Sequence, residues 1–307
     1  MGSGDSVQPR DTVSVIQSVS PSLPSGVAVD IVGSDTFVRV RSVGHDVLIT
    51  GYKEEPYVHI TKLGDVFVNT GSVTTLINSN RYANVDTSTF VESASPVWKK
   101  IRADGTAMWH DHRVHWMSPK RPAPIDPAGT VLSWKVPMRI DGVTTTVSGT
   151  LFLRVKASVL WWLIGFGALL AGVALSVKRR QEFFALVFAI SMFGVVTGAM
   201  EYFGLPVGAR ITPLLLLFSV GAAIVAGAAM AVQRRGRTSQ HIAVSLNAGA
   251  GATLIVCVWL CANQVRAAYV PGISPEWIVR MLIPTLLGIG LVSTIDGVMR
   301  IVRNTTD

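Results

Sequence analysis

Residues 158–177 read SVLWWLIGFGALLAGVALSV, an uncharged run of the length that crosses a bilayer. About twenty residues at ~1.5 Å each span the roughly 30 Å hydrocarbon core. Four further apolar stretches follow, at approximately 182–203, 210–232, 241–266 and 277–300. No soluble core needs five such segments in succession, so residues 157–303 are predicted to form a five-helix transmembrane domain, with 304–307 as a short tail. Composition agrees: of 307 residues, 49% are hydrophobic and only 15% charged.

Basic residues orient the spans. Lys178, Arg179 and Arg180 lie between the first two, Arg234, Arg235 and Arg237 between the third and fourth, and Arg303 after the fifth. The turns at 204–209 and 267–275 carry no Lys or Arg. Cytoplasmic loops hold the excess of positive charge, which puts the basic loops and the C-terminus inside and residues 1–156 outside. The start, Met1-Gly-Ser-Gly-Asp-Ser, is short and polar. It is read as a trimmed or engineered start standing where a signal peptide was removed. The net charge of +8 is met by attraction to anionic lipid head groups, and does not argue for nucleic acid. The two cysteines, Cys257 and Cys261, fall in the fourth span and share a helix face as packing residues.

The outer segment, 25–156, reads as an all-β sandwich behind an N-terminal tail, 1–24. Alternating apolar and polar residues mark strands at 26–32, 36–41, 46–50, 57–61, 66–69, 130–140 and 144–155. Asp141-Gly142 between the last two is a hairpin turn signal. Residues 78–100 read as polar and irregular, and four prolines make 118–127 an extended loop. The connector into Trp161-Trp162 is short, so the sandwich is expected to rest against the membrane.

Two resemblances add to this. Gly129-Thr-Val-Leu-Ser-Trp-Lys-Val-Pro-Met-Arg-Ile-Asp-Gly142, followed by Val147-Ser-Gly-Thr-Leu-Phe-Leu-Arg-Val155, resembles the closing strands of CopC-like extracytoplasmic copper-binding sandwiches. Val143 stands where that family's copper-ligand histidine follows Asp-Gly, and no N-terminal histidine is present, so those ligands do not carry over. Gly51-Tyr-Lys-Glu-Glu-Pro-Tyr57, Asn78-Ser-Asn-Arg-Tyr82 and Trp109-His-Asp-His-Arg-Val-His-Trp-Met117 together resemble a group of envelope membrane proteins of high-GC Gram-positive bacteria. That resemblance implies topology more than chemistry.

The last of these motifs carries the candidate site. Met108, His110, Asp111, His112, His115 and Met117 all bear atoms that donate to transition metals, flanked by Trp109 and Trp116. On a strand, Met108, His110 and His112 would share one face, and His115 would join them only across a bulge or turn at Arg113-Val114. His45 and His59 are further candidate ligands, with Glu54 or Glu55 as oxygen donors. A copper or zinc ion fits such donors, and thioether would favour copper. Two other readings stay open: a structural clasp built on an Asp111–Arg113 pair and carbonyl-bonded imidazoles, and a proton sensor.

In the membrane segment the polar residues are Glu201, Arg210, Arg266 and Arg280 towards the outer side, and Asn247 and Asp296 towards the inner. Asp296 with Arg300 makes an i,i+4 pair, and Glu201 could pair with Arg210. Gly194-x-x-x-Gly198 is a helix-packing surface. No nucleophile elbow, phosphate loop or dinucleotide fingerprint occurs, and no catalytic residue is assigned. The sequence thus points to a multi-pass plasma-membrane protein with a metal-handling outer domain. Alternatives are an accessory subunit that meets partner proteins in a larger membrane complex, and a small-solute or metal transporter.

Overall fold

In a computed structural model of the chain, residues 6–88, 90, 93, 95–235 and 239–306 are described; Arg237 and the first five residues, used above, lie outside them. The chain forms two compact units: one runs to Val155 and includes Val207–Arg210, the other comprises Lys156–Pro206 and the residues from Ile211 onward.

The first unit is antiparallel β. Its strands are β1 (Thr12–Ser20), β2 (Val27–Val32), β3 (Phe37–Ser42), β4 (Val47–Thr50), β5 (Pro56–Ile60), β6 (Val66–Asn69), β7 (Trp98–Arg102), β8 (Thr106–Trp109), β9 (Thr130–Ile140) and β10 (Val143–Leu153). One sheet runs β1-β10-β9-β4-β5-β6-β7 and the other β2-β3-β8. Inward residues of both sheets, including Val38, Val40 and Trp109 from the smaller and Ile49, Trp134, Val136 and Met138 from the larger, share one buried core. That is the expected sandwich, with period-2 alternation driving one face of each strand from water. The β9–β10 hairpin closes at Asp141-Gly142, both at positive φ (49° and 83°), the backbone that a two-residue primed turn requires.

Three expectations need correcting. The expected tail, 1–24, contains β1, which pairs with β10 from Thr12↔Leu153 to Ser20↔Thr146. Its alternation is inverted. The buried residues are Thr12 and Ser14, whose hydroxyls donate to the Asp35 carboxylate (2.6 Å) and the Val114 carbonyl, so polarity hid the inward face. The expected irregular stretch 78–100 yields β7 at its end, and a short helix α1 (Val73–Ile77), capped by the Ser72 side chain, precedes it. Finally, β8 stops at Trp109, so the histidines do not lie on a strand.

Among the described residues, the second unit contains five helices long and apolar enough to cross a membrane. The first, Val159–Lys178, runs through a 3-10 turn into α2 (Trp162–Lys178), and the others lie within α3 (Arg180–Phe203), α4 (Leu214–Gln233), α5 (Gln240–Cys261) and α7 (Glu276–Thr306). A short α6 (Asn263–Arg266) follows a break at Ala262, dividing the expected fourth span. Large apolar side chains such as Leu163, Phe166, Leu170 and Val177 of α2 face outward, the surface a bilayer accepts. A Cβ at Gly194 would collide with Ser219 Oγ, and one at Gly198 would lie 2.5 Å from Leu216 N, so these glycines let α3 and α4 approach closely.

The intramembrane polar residues are mostly tied into the helices. Asp296 pairs with Arg300 Nε at 2.8 Å. Asn247 Nδ2 donates to Ser293 Oγ, and that hydroxyl donates to Asn247 O, each at 2.7 Å, joining α5 to α7. Arg280 meets Glu276 at 2.7 Å and the Ala267 carbonyl at 2.8 Å. Arg266 is exposed, and Arg210 follows a short 3-10 turn, Val207–Ala209. Glu201 is buried and hydrogen-bonded to Gln264.

Candidate metal centre

His110 follows directly on β8, which pairs with β3 in the register Val38↔Trp109. The chain then turns through 112–114, held by Val114 N donating to Asp111 O at 3.1 Å. This turn, at the Arg113-Val114 position the sequence allowed, brings His115 back to His110. The three imidazoles cluster, with centroids 4.2 Å apart for His110–His115, 5.2 Å for His110–His112 and 5.1 Å for His112–His115. One ring nitrogen from each lies within 4.8 Å of those from the other two. His110 and His115 are buried; the His112 residue as a whole is half-buried, but its Nδ1 is as shielded from solvent as the facing nitrogens of the other two rings.

Backbone carbonyls set each ring. His110 Nδ1 donates to Thr36 O at 2.8 Å, His112 Nε2 to Asn80 O at 2.8 Å, and His115 Nδ1 to Trp116 O at 2.9 Å. A nitrogen facing a carbonyl must carry the proton, so the lone pairs fall on His110 Nε2, His112 Nδ1 and His115 Nε2. Metal-bound histidines are oriented in this way, by a carbonyl on the far nitrogen. His115 Nε2 has no hydrogen-bond partner, and burying such an acceptor costs about 1–3 kcal/mol. Burial, then His110 and the Arg81 guanidinium, push the His115 imidazole down to about 2, so it stays neutral with its lone pair available.

The other candidates serve elsewhere. Asp111 is buried, and its carboxylate accepts from Arg113 Nε (2.9 Å), Arg113 NH2 (2.6 Å), Arg113 N (3.0 Å) and Trp109 Nε1 (2.8 Å). Burial raises its pKa, but Arg113 and these donors outweigh that and hold it below the usual carboxylate range. Asp111 therefore clasps the turn and is not in the histidine cluster. Met108 sits on β8 opposite Arg39, and Met117 is 38% exposed. His45 meets Asp141 at 2.7 Å, and His59 meets Asp46 at 2.8 Å. Glu55 bonds Ser72 and Thr74, and Glu54 occupies a left-handed turn position at φ 64°.

Residues outside the motif complete the surround. The Tyr52 hydroxyl bonds Asn78 and accepts from His112 N at 2.8 Å. Its ring stacks on His112 at 6.1 Å, and Arg113 lies 5.1 Å over it. Asp35, fully buried, is flanked by Arg10 Nε at 3.4 Å and Arg81 NH2 at 3.5 Å, next to the Thr36 whose carbonyl fixes His110. Three stretches far apart in sequence, 51–57, 78–82 and 109–117, thus meet at one place. No family model matches the chain, and neither a curated protein nor a solved structure matches it.

Proposed function

We propose that the β-sheet unit is an extracytoplasmic metal-binding module, held to the membrane by the five helices, that carries one copper or zinc ion for metal handling or delivery. The observation that carries the reading is the cluster of three ring nitrogens within 4.8 Å, each ring oriented by a carbonyl on its other nitrogen. Three imidazoles form a borderline donor set suited to Zn²⁺ and Cu²⁺, and copper is the tighter of the two by the affinity order of divalent metals. With Met117 exposed, the copper reading rests on that order and on imidazole, not on thioether. Three protein ligands leave a fourth position for water or for a donor on the molecule that delivers or receives the ion.

On this reading the resemblance of residues 129–155 to CopC-like sandwiches extends to compartment, with a different ligand set. Outward orientation is supported by Lys and Arg at 178–180, 234–235 and 303. Calorimetric titration of the detergent-purified full chain with Zn²⁺ and Cu²⁺ tests the proposal. One site is expected in the wild type and none in His110→Ala/His112→Ala. Equal binding by both proteins would overturn it.

A further inference from the structure

The helical unit holds a buried polar pair that the metal reading does not use. Glu201, near the end of α3, is 3% exposed, and Gln264 of α6 is 4% exposed. Both lie at the end of the helices away from the basic loops at 178–180 and 234–235. The backbone closes over Glu201. A Cβ at Gly272 would sit 2.4 Å from Glu201 Cα, so the segment ahead of α7 packs directly on the end of α3.

Gln264 hydrogen-bonds the Glu201 carboxylate, and the only side-chain donor of a glutamine is its Nε2. Two acceptors are left stranded, Glu201 Oε1 and Gln264 Oε1, each buried without a hydrogen-bond partner. A stranded buried acceptor costs the full desolvation of that atom, and more when its group is charged. Around the pair, Cys257 and Cys261 of α5 lie within electrostatic reach of Glu201, and Ser219 of α4 lies against the Cys257 thiol. Thiols are weak donors and do not balance a buried carboxylate. On the neighbouring elements, Arg280 of α7 is held by Glu276 and the Ala267 carbonyl, and Arg266 of α6 is exposed.

One proton removes both defects. On Glu201 Oε1 it turns that atom from acceptor to donor, and the amide oxygen of its bonded partner is the acceptor such a donor needs. A carboxylic acid and a primary amide match edge to edge, N–H to one oxygen and O–H from the other, and leave no net charge inside the bilayer. A hard metal cation would instead call for about six oxygen ligands, whereas thiols fill much of this surround. We infer that Glu201 and Gln264 form a proton-binding site inside the helical unit, with the proton held on the Glu201 carboxyl and shared with the Gln264 amide.

Infrared spectroscopy of the full chain in detergent at neutral pH tests the inference. A protonated-carboxyl C=O band is expected in the wild type and should be missing from Glu201→Gln. Gln264→Leu should keep the band and move it to higher frequency, because the carbonyl loses its hydrogen bond. A second measurement needs no variant. Dicyclohexylcarbodiimide adds across a protonated carboxyl without a leaving group and gives an acylurea. Peptide mass spectrometry of the treated wild type should find that adduct on Glu201 and not on Glu182 or Glu276, whose side chains are more open to water. Identical spectra for the wild type and Glu201→Gln, a band that Gln264→Leu leaves in place, or labelling no greater at Glu201 than at Glu182 would overturn the site. Protection of Glu201 by millimolar Na⁺ or K⁺ would show a metal cation in the pair, and would overturn the proton assignment.

Discussion

Replacing His112 by alanine separates a metal centre from a merely structural cluster. Without metal, the change removes the bond from Nε2 to Asn80 O and the stacking on Tyr52. One such bond contributes about 0.5–1.5 kcal/mol net. For a unit of this size each kcal/mol moves the thermal midpoint by about 2–4 °C, giving a loss of about 1–6 °C. With metal at one hundred times its dissociation constant, the wild type gains about 2.7 kcal/mol by mass action. That corresponds to a rise of about 5–11 °C. His112→Ala should show the small loss and none of the rise. The assay is thermal unfolding of the full chain in detergent, followed by the sheet signal in circular dichroism with and without Zn²⁺. An equal metal-dependent rise in the wild type and in His112→Ala would refute the reasoning, as would the absence of a rise in both.

Asp111→Ala should destabilise the β-sheet unit by about 3–5 kcal/mol, because it strands the Arg113 charge, whose side chain is only 18% exposed; chemical denaturation of the full chain reads this directly. A cysteine placed at Arg235 should react with an impermeant thiol reagent only after cells are opened, and labelling of intact cells would contradict the orientation. The exposed His45–Asp141 pair sets a pH window. The hydrogen bond to Asp141 raises His45 above 6.5, and the bond to His45 lowers Asp141 below 3.8. Its stabilisation is lost as pH rises through the raised His45 value and as pH falls through the depressed Asp141 value. The difference in thermal midpoint between wild type and His45→Gln should therefore be largest between the ordinary Asp and His values, 3.8 and 6.5, and shrink as pH rises through the raised His45 value.

The spans and the long β9–β10 hairpin were legible because each rests on a local signal: twenty apolar residues in a row, or Asp-Gly between alternating strands. β1 was not, because its buried positions are Thr12 and Ser14, held inward by Asp35 and Val114 O. The motif at 108–117 announced the site, but strand parity separated His115 from the other two histidines. The turn that reunites them depends on Asp111 gripping Arg113, two residues on, a pairing that reads equally as a salt bridge on a sheet face. The ring orientations were beyond reach of the sequence. They come from carbonyls of Thr36 and Asn80, 74 and 32 residues away, and a carbonyl leaves no mark on residue identity. Tyr52 and Arg81 lay within quoted motifs, yet only the fold shows that those motifs adjoin.

X-ray absorption at the zinc edge, on the full chain loaded with one equivalent of Zn²⁺, tests the central claim most directly. The account predicts three imidazole nitrogens at about 2.0–2.1 Å with one further light ligand, and loss of that shell in His110→Ala/His112→Ala/His115→Ala. A shell of oxygens alone, one containing sulfur, or an imidazole shell that survives in the triple variant would contradict it.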